Sequence, residues 1–186
     1  MAPMNASTTS AHPLLVPDGA TDHIHGPATA RVTLVEYGDF ECPSCGQAHA
    51  ALKIMLAHFG SQLRFVFRHF PLREVHPHAE LAAEATEAAG AQGKFWPFHD
   101  MLFDHQQHLT EKNLTQYAKD LGLDMARYEN EMRDHVYLQR VQEQMQGATA
   151  LHVRATPSFY VNGVFVDVSF GLTHLHQAIE KALATA

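Results

Sequence analysis

The sequence predicts an α/β fold that is interrupted by a block of helices. The chain has 186 residues, of which two are cysteines. An apolar, β-branched segment precedes the cysteines, and a segment with helical periodicity and then one with alternating periodicity follow them. A long stretch rich in alanine and glutamate comes next, and a β pattern returns near the C-terminus. A strand, a helix and a strand of these lengths form a parallel pair with a right-handed crossover.

The N-terminal part predicts an arm followed by two strands. Residues 1–21 are rich in alanine, serine, threonine and proline without apolar periodicity, which is typical of a mobile arm. Residues 22–71 form the first part of the folded domain. Asp22 to Pro27 would add a short edge strand before a turn, and Arg31 to Tyr37 forms the first core strand.

The two cysteines form the motif Cys42-Pro43-Ser44-Cys45 at the turn from this strand into a helix. Positions i and i+3 share one face of a helix, so the two sulfurs can form a disulfide or share a metal. At a helix N-terminus, free N–H groups and the helix dipole stabilise a thiolate and lower the pKa of Cys42 from ~8.5. Pro43 suits the first helical position, where its missing N–H costs nothing. Cys42 is the predicted nucleophile and Cys45 the predicted resolving thiol.

Two other interpretations of the cysteine pair stay open. Structural cysteines that only pack would need no strand-turn-helix setting. A zinc site needs four ligands, and the chain lacks a second cysteine pair that would complete one.

Glu36 lies six residues before Cys42, inside an otherwise apolar strand. A carboxyl group in that position would be partly desolvated, and its pKa would be raised. We predict that Glu36 exchanges the proton of the thiol pair. The alternative is a strand residue that faces solvent, because the alternation along this strand is not regular.

Residues 72–151 are predicted to form a helical insertion. The first helix ends near Gly60 and the second strand covers Leu63 to Arg68. Apolar spacing and capping residues then indicate a helix with Leu81, Ala85, Ala88 and Ala89 on one face, a helix from Phe95 to Phe103, a helix capped by Thr110, and a stretch capped by Asp124 that runs with one break to about Leu151. Trp96, Phe98 and Phe103 are expected to form the core of the insertion.

Residues 152–186 complete the fold. Asn162-Gly163 separates the apolar segments Thr156 to Val161 and Val164 to Val166, and Asn-Gly between such segments strongly favours a β-hairpin. A last helix begins at about Leu172.

Composition limits the partners. Thirteen basic and twenty acidic residues give a net charge of −7, which argues against binding of nucleic acid or lipid headgroups. No segment approaches the ~18 apolar residues of a membrane span, and the first residues lack the pattern of a secretory signal. We therefore expect a cytoplasmic protein, where a Cys-x-x-Cys motif is more often catalytic or redox-sensing than structural.

The chain has fifteen histidines, but no metal site is expected. An i, i+2 pair chelates well only on an extended segment, and the histidines are interpreted as surface residues. The pairs considered are His23/His25, His76/His78 and His174/His176.

This order of elements resembles the thioredoxin fold in its DsbA-like form. The resemblance covers about residues 22–184 and rests on four segments, which are Phe40-Glu-Cys-Pro-Ser-Cys45, Phe67-Arg-His-Phe-Pro71, Phe95-Trp-Pro-Phe-His-Asp100 and Thr156-Pro157. It implies that Pro157 is cis beside the disulfide and that Thr156 offers backbone groups to a bound peptide. Together with Pro43 and Ser44, these are the predicted substrate-binding residues.

The chain departs from the family in two respects. The strongest oxidants of the family carry Pro-His between the cysteines, whereas this chain carries Pro-Ser and lacks the imidazole that stabilises the thiolate. Family members are commonly exported, whereas this chain looks most like the unexported relatives, some of which are cytoplasmic domains attached to transporters.

The resemblance implies a thiol-disulfide oxidoreductase that acts on protein or small-molecule disulfides and dithiols through a mixed disulfide on Cys42. It would need a redox partner and no cofactor besides its own cysteine pair, and glutathione is a candidate co-substrate. One alternative is a binding or redox-sensing module that holds an extended partner segment. Another is a glutathione-dependent isomerase or transferase, which the intact cysteine pair disfavours. The direction of electron flow and the oligomeric state are not predicted.

Overall fold

A computed structural model describes residues 12–185. Within that range five strands form one mixed sheet in the order β1-β3-β2-β4-β5. The central strands β2 and β3 are parallel, and the other neighbouring pairs are antiparallel. The strands are β1 (His23–His25), β2 (Val32–Gly38), β3 (Leu63–His69), β4 (Ser158–Val161) and β5 (Val164–Val166).

The helices follow the predicted pattern. Helix α1 connects the parallel strands, five helices lie between β3 and β4 in the sequence, and α7 follows the hairpin. The predicted α/β fold with an inserted set of helices is therefore confirmed. The bounds are α1 (Pro43–Phe59), α2 (Ala79–Gly90), α3 (Phe95–Asp104), α4 (Glu111–Asp120), α5 (Met125–Arg133), α6 (Leu138–Ala150) and α7 (Thr173–Thr185).

Strand β2 is covered on both faces, which explains its irregular sequence pattern. Leu34 belongs to the core that contains the α1 side chains, whereas Val35 and Tyr37 belong to a second cluster with residues of α6. Successive side chains of a strand point to opposite faces. Glu36 therefore lies on the same face as Leu34, towards the helix that carries the cysteines.

The hairpin has the predicted turn. Asn162 and Gly163 have positive φ angles of 47° and 82°, as a tight hairpin turn requires. The Asn162 side chain accepts a hydrogen bond of 2.8 Å from the Thr33 amide. Strand β4 begins at Ser158, two residues later than predicted, because Thr156 and Pro157 form the loop that faces α1.

The insertion and the N-terminal segment both contribute to the core. Phe98 and Phe103 are buried and Trp96 is partly buried, so their predicted packing role is confirmed. Of the predicted arm, residues 1–11 lie outside the described residues. The packed chain begins before the predicted boundary at residue 22, because Leu15 is buried and Arg68 donates to the Leu14 carbonyl. No helix in residues 12–185 has the length and apolar character needed to span a bilayer.

Candidate active site

Cys42 occupies the N-cap position of α1, and Pro43 is the first helical residue. The loop before the helix is held by its own backbone, since the Cys42 amide donates to the Asp39 carbonyl at 3.2 Å. Cys42 is 6% exposed and Cys45, one turn later, is fully buried. Both are free thiols. Cys42 is therefore the more exposed of the two cysteines.

The surroundings of Cys42 favour its thiolate. The Cys45 thiol donates a hydrogen bond to the Cys42 sulfur, and this contact does most to lower the pKa of Cys42 to about 5. Burial opposes the shift, whereas the Thr156 side chain and the amides of Cys45 and Ser44 support it. A pKa near 5 makes Cys42 a thiolate at neutral pH, which is the reactive form in disulfide exchange.

The surroundings of Cys45 have the opposite effect. Burial, the hydrogen bond to Cys42 and the charge of Glu36 raise the pKa of Cys45 well above 9.0. Cys45 therefore keeps its proton while Cys42 is a thiolate. The two sulfurs of one motif are prepared for different steps, as a nucleophile and a resolving thiol require.

Glu36 lies in the interior, where it is 2% exposed, and it does not face solvent. Its Oε1 atom is buried without a hydrogen-bond partner among the described residues. Burial and, to a smaller extent, the nearby Cys42 thiolate raise the pKa of Glu36 to about 8. A carboxyl group with this pKa can exchange a proton near neutral pH.

Thr156 contacts the nucleophile from the other side. The Thr156–Pro157 peptide bond is cis, as the resemblance implies, and the Cys42 sulfur lies 3.4 Å from the Thr156 carbonyl oxygen. The Thr156 hydroxyl is buried and has no hydrogen-bond partner among the described residues. It is therefore free to donate to the thiolate.

A groove of about 380 Å³ runs beside these residues. Three of the predicted substrate-binding residues, Ser44, Thr156 and Pro157, line the groove together with the apolar side chains of Phe165 and Leu172. Pro43 is not part of the lining and is exposed on the helix end. The structure thus brings the pair of cysteines, Glu36 and the groove together around one helix terminus.

Sequence reasoning missed Asp39 and His76. The buried Asp39 carboxylate accepts bonds from the Glu41 and Leu72 amides and lies 2.8 Å from His76 Nδ1. These contacts fix the loop before Cys42. The hydrogen bond to Asp39 raises the pKa of His76 against the effect of its partial burial, and the Cys42 thiolate adds a smaller increase. Because His76 is far from the cysteines in the sequence, its place was visible only in the fold.

Gln106 was also missed. Its side-chain amide donates to the carbonyl oxygens of Phe40 at 2.7 Å and Cys42 at 2.9 Å. A Cβ atom on Gly46 would overlap the Gln106 oxygen, so this approach depends on glycine. Gln106 therefore ties the end of α3 to the cysteine loop. The glycine directly after Cys45 was the one signal in the sequence.

Comparison with known proteins identifies the family to which the chain is similar. A family model described as thioredoxin matches residues 18–181. A sodium/proton antiporter NhaA 1 from Salinispora arenicola is 46% identical over 172 residues, which are 92% of this chain and 26% of that protein. The chain thus spans about a quarter of the length of the curated relatives it matches.

Solved structures agree on the fold. BdbD from Bacillus subtilis superposes with a TM-score of 0.81 at 23% identity and covers 90% of this chain and 96% of its own. A thioredoxin-like oxidoreductase from Silicibacter pomeroyi has a TM-score of 0.77 at 28% identity, with 89% and 94% of the two chains covered. The predicted thioredoxin fold with a helical insertion, in the form found in solved DsbA structures, is confirmed.

Proposed function

The chain belongs to the thioredoxin family, and we propose that it is a thiol-disulfide oxidoreductase whose mixed disulfide forms on Cys42. The observation that carries this proposal is the contrast between the two cysteines. Cys42 is the more exposed of the two and has a pKa of about 5, whereas the pKa of the buried Cys45 is raised well above 9.0. A pair of cysteines that only packed in the core would not need this difference.

The first step is an attack by the Cys42 thiolate on one sulfur of a substrate disulfide. A bond forms between the two sulfurs, the substrate S–S bond breaks, and the second substrate sulfur leaves as a thiolate. The Cys42 sulfur no longer carries a negative charge at this stage. The part of the Glu36 pKa shift that came from the Cys42 thiolate is therefore lost, and Glu36 ionises more readily.

In the second step the Glu36 carboxylate takes the proton of Cys45. The Cys45 thiolate attacks the Cys42 sulfur, the pair forms its disulfide, and the first substrate sulfur leaves and takes a proton from solvent. The substrate gains two electrons and the pair loses two. The reverse sequence oxidises a dithiol, and Glu36 then returns the proton to Cys45.

Replacement of each cysteine tests this mechanism. Cys42→Ser should abolish the reduction of a protein disulfide such as insulin, whereas Cys45→Ser should accumulate the mixed disulfide that wild type resolves. Cys42 should carry the trapped substrate. Activity of Cys42→Ser at the wild-type rate would contradict the proposal.

Two further measurements define the substrate and the direction. Parallel assays with insulin and glutathione disulfide would show which class of substrate reacts faster. The reduction potential of the Cys42–Cys45 couple separates a reductase near the cytosolic potential from an oxidase with a much higher one. The missing imidazole between the cysteines favours the lower potential, because less of the thiolate stabilisation is available.

A second candidate is a module that binds an extended segment and only senses redox state. The groove beside Thr156 and the exposed Phe165 and Phe170, at 56% and 89% exposure, favour this candidate. A Cys42→Ser, Cys45→Ser double variant that still binds peptides, together with negligible turnover of wild type, would support it.

We propose the cytoplasm as the place of action, where a Cys-x-x-Cys motif serves catalysis or redox sensing more often than structure. The relatives named as NhaA antiporters suggest that the partner is a transporter. Fractionation of cells and crosslinking through Cys42 would test the location and the partner separately.

A further inference from the structure

A second group of polar side chains lies between α1 and α3, apart from the groove. His49 comes from α1, whereas His99 and Asp100 are neighbours on α3. One ligand atom of each residue lies within 4.8 Å of those of the other two. All three line a cavity of about 350 Å³.

His99 and Asp100 share a hydrogen bond within this cluster, whereas the separation of His49 and Asp100 suits two ligands of one metal ion. His99 Nδ1 lies 3.0 Å from Asp100 Oδ1, whereas His49 Nε2 lies 3.8 Å from the same oxygen. Zinc ligands at bond lengths of ~2.0 to 2.2 Å in a tetrahedron are separated by roughly 3.4 Å, which is close to the 3.8 Å between His49 Nε2 and Asp100 Oδ1. The longer distance exceeds that of a hydrogen bond.

The imidazoles supply a second, independent observation. His49 and His99 are 7% and 2% exposed, and the Nε2 atom of each is buried without a hydrogen-bond partner among the described residues. Buried polar atoms without partners are uncommon, and a missing ion or water is one of the usual reasons. Asp100 is half-exposed, so the cluster has a path to solvent.

We propose that His49, His99 and Asp100 form a binding site for a divalent transition-metal ion of the zinc type. Two imidazoles and one carboxylate are a ligand set that zinc uses, and water from the open side of the cavity would complete the coordination. Such a site goes beyond the proposed disulfide exchange and does not depend on it, because it shares no residue with the cysteine motif.

The electrostatics of the cluster suit a cation. Lys53 Nζ lies 3.9 Å from Asp100 Oδ2 and 3.8 Å from Asp104 Oδ1. The two carboxylates outnumber this single ammonium group, and the charge beside the site is negative.

A metal ion bound at this site would link helix α1 to helix α3. Helix α1 carries both cysteines, whereas α3 belongs to the helical insertion. A metal held by His49 and the two α3 residues would join these elements and stabilise the folded state through ligand binding. The sequence pairs of histidines gave no hint of this site, because its ligands come from two helices fifty residues apart.

The test uses the oxidised protein, in which the Cys42–Cys45 disulfide cannot bind metal. Titration calorimetry with zinc should show one site per chain, and zinc should raise the thermal midpoint. Cobalt should give the visible absorption of a low-coordinate histidine and carboxylate site. These readouts do not depend on enzymatic activity, so the site and the proposed function can fail separately.

Variants distinguish this site from general histidine binding. His49→Gln and Asp100→Asn should each weaken zinc binding by at least about tenfold, whereas His108→Gln, which replaces an exposed histidine outside the cluster, should leave binding unchanged. Lys53→Gln should strengthen binding a few fold, because it removes the nearby positive charge. Circular dichroism would show whether each variant is folded.

The results decide the proposal. Stoichiometric binding that is weakened by His49→Gln and not by His108→Gln supports it. Zinc binding of equal strength in wild type and folded His49→Gln, or no saturable binding by the oxidised wild type, would overturn it and leave the cluster as a water-filled pocket.

Discussion

Two buried glutamates, Glu36 on β2 and Glu87 on α2, have opposite ionisation. Glu36 is 2% exposed and Glu87 is 1% exposed. No hydrogen bond reaches Glu36 Oε1 from the described residues, and burial raises the pKa of Glu36 to about 8. For Glu87, burial acts in the same direction, but hydrogen bonds from His23 and His69 outweigh it and lower the pKa to about 2.

The difference in pKa between Glu36 and Glu87 comes from their hydrogen-bond partners and not from their burial, which is nearly equal. Glu87 Oε1 lies 2.9 Å from His23 Nε2 and 3.0 Å from His69 Nε2, and Oε2 lies 3.1 Å from Arg140 Nε. These groups come from β1, β3 and α6, so the charge of Glu87 holds three elements together. A buried carboxyl that lacks such partners keeps its proton until chemistry requires it. One glutamate is therefore structural and the other is available for proton exchange.

The largest effect on stability should follow from removal of the Glu87 charge. Glu87→Gln should reduce the free energy of unfolding by about 3 to 5 kcal/mol, because it leaves Arg140 without its counter-charge and takes the charged hydrogen-bond acceptor away from His23 and His69. Denaturant unfolding at neutral pH would measure this loss. Glu80→Gln is the matched control, because Glu80 lies on the same helix as Glu87 and forms a partly exposed ion pair with Arg73. This variant should lose only about 0.5 kcal/mol of the free energy of unfolding. Equal losses in both variants would contradict the comparison.

Removal of the unpaired carboxyl should change the pH dependence of stability. The pKa of Glu36 is raised from 4.5 to about 8 in the folded state. Between these two pH values the unfolded state releases the proton and the folded state keeps it. The free energy of unfolding of wild type therefore falls as the pH rises from 4.5 towards 8. In reduced protein, the free energy of unfolding of Glu36→Gln relative to that of wild type should therefore increase by about 2 to 3 kcal/mol between about pH 5 and about pH 7.

Urea unfolding across this pH range would measure the change. In oxidised protein this increase in relative stability should be smaller, because the Cys42 thiolate no longer raises the pKa of Glu36. Parallel curves for wild type and Glu36→Gln would mean that Glu36 is ionised in the fold like Glu87.

A smaller effect is expected at Thr156. Thr156→Val keeps the shape of the side chain but removes the hydroxyl that lowers the pKa of Cys42. The pKa of Cys42 should rise by roughly half a unit to one unit, the value of one hydrogen bond to a thiolate. Thiolate absorbance in the ultraviolet, followed against pH, would measure it. Ser158→Ala should leave the titration unchanged, because Ser158 also lines the groove but its hydroxyl donates to the Ala155 carbonyl.

The smallest effect is expected at His76. The imidazole held by Asp39 and the Cys42 thiolate stabilise each other, and His76→Gln should raise the pKa of Cys42 by roughly a few tenths of a unit. The effect should disappear at high salt, because His76 is partly open to solvent. A shift that persists in high salt would assign His76 a direct contact with the sulfur.

Local sequence patterns determined most of the elements. The Cys-x-x-Cys position at a strand-to-helix turn, the Asn162-Gly163 hairpin and the helix starts at Thr110 and Asp124 depend on neighbours in the chain, and the structure has elements at these places. The Asp124 side chain caps its helix by accepting from the Arg127 amide, whereas the Thr110 side chain makes no capping hydrogen bond. Backbone conformation and capping act over a few residues, so they can be deduced from adjacent side chains.

Only the tertiary structure decided which side chains meet. Glu36 and Glu87 are both buried glutamates, yet Glu36 Oε1 has no hydrogen-bond partner within residues 12–185, whereas Glu87 lies between two histidines and an arginine. The contacts of Gln106 with the cysteine loop and of His49 with Asp100 likewise join distant segments. Ionisation depends on distance and desolvation in three dimensions, and neither quantity follows from the order of residues along the chain.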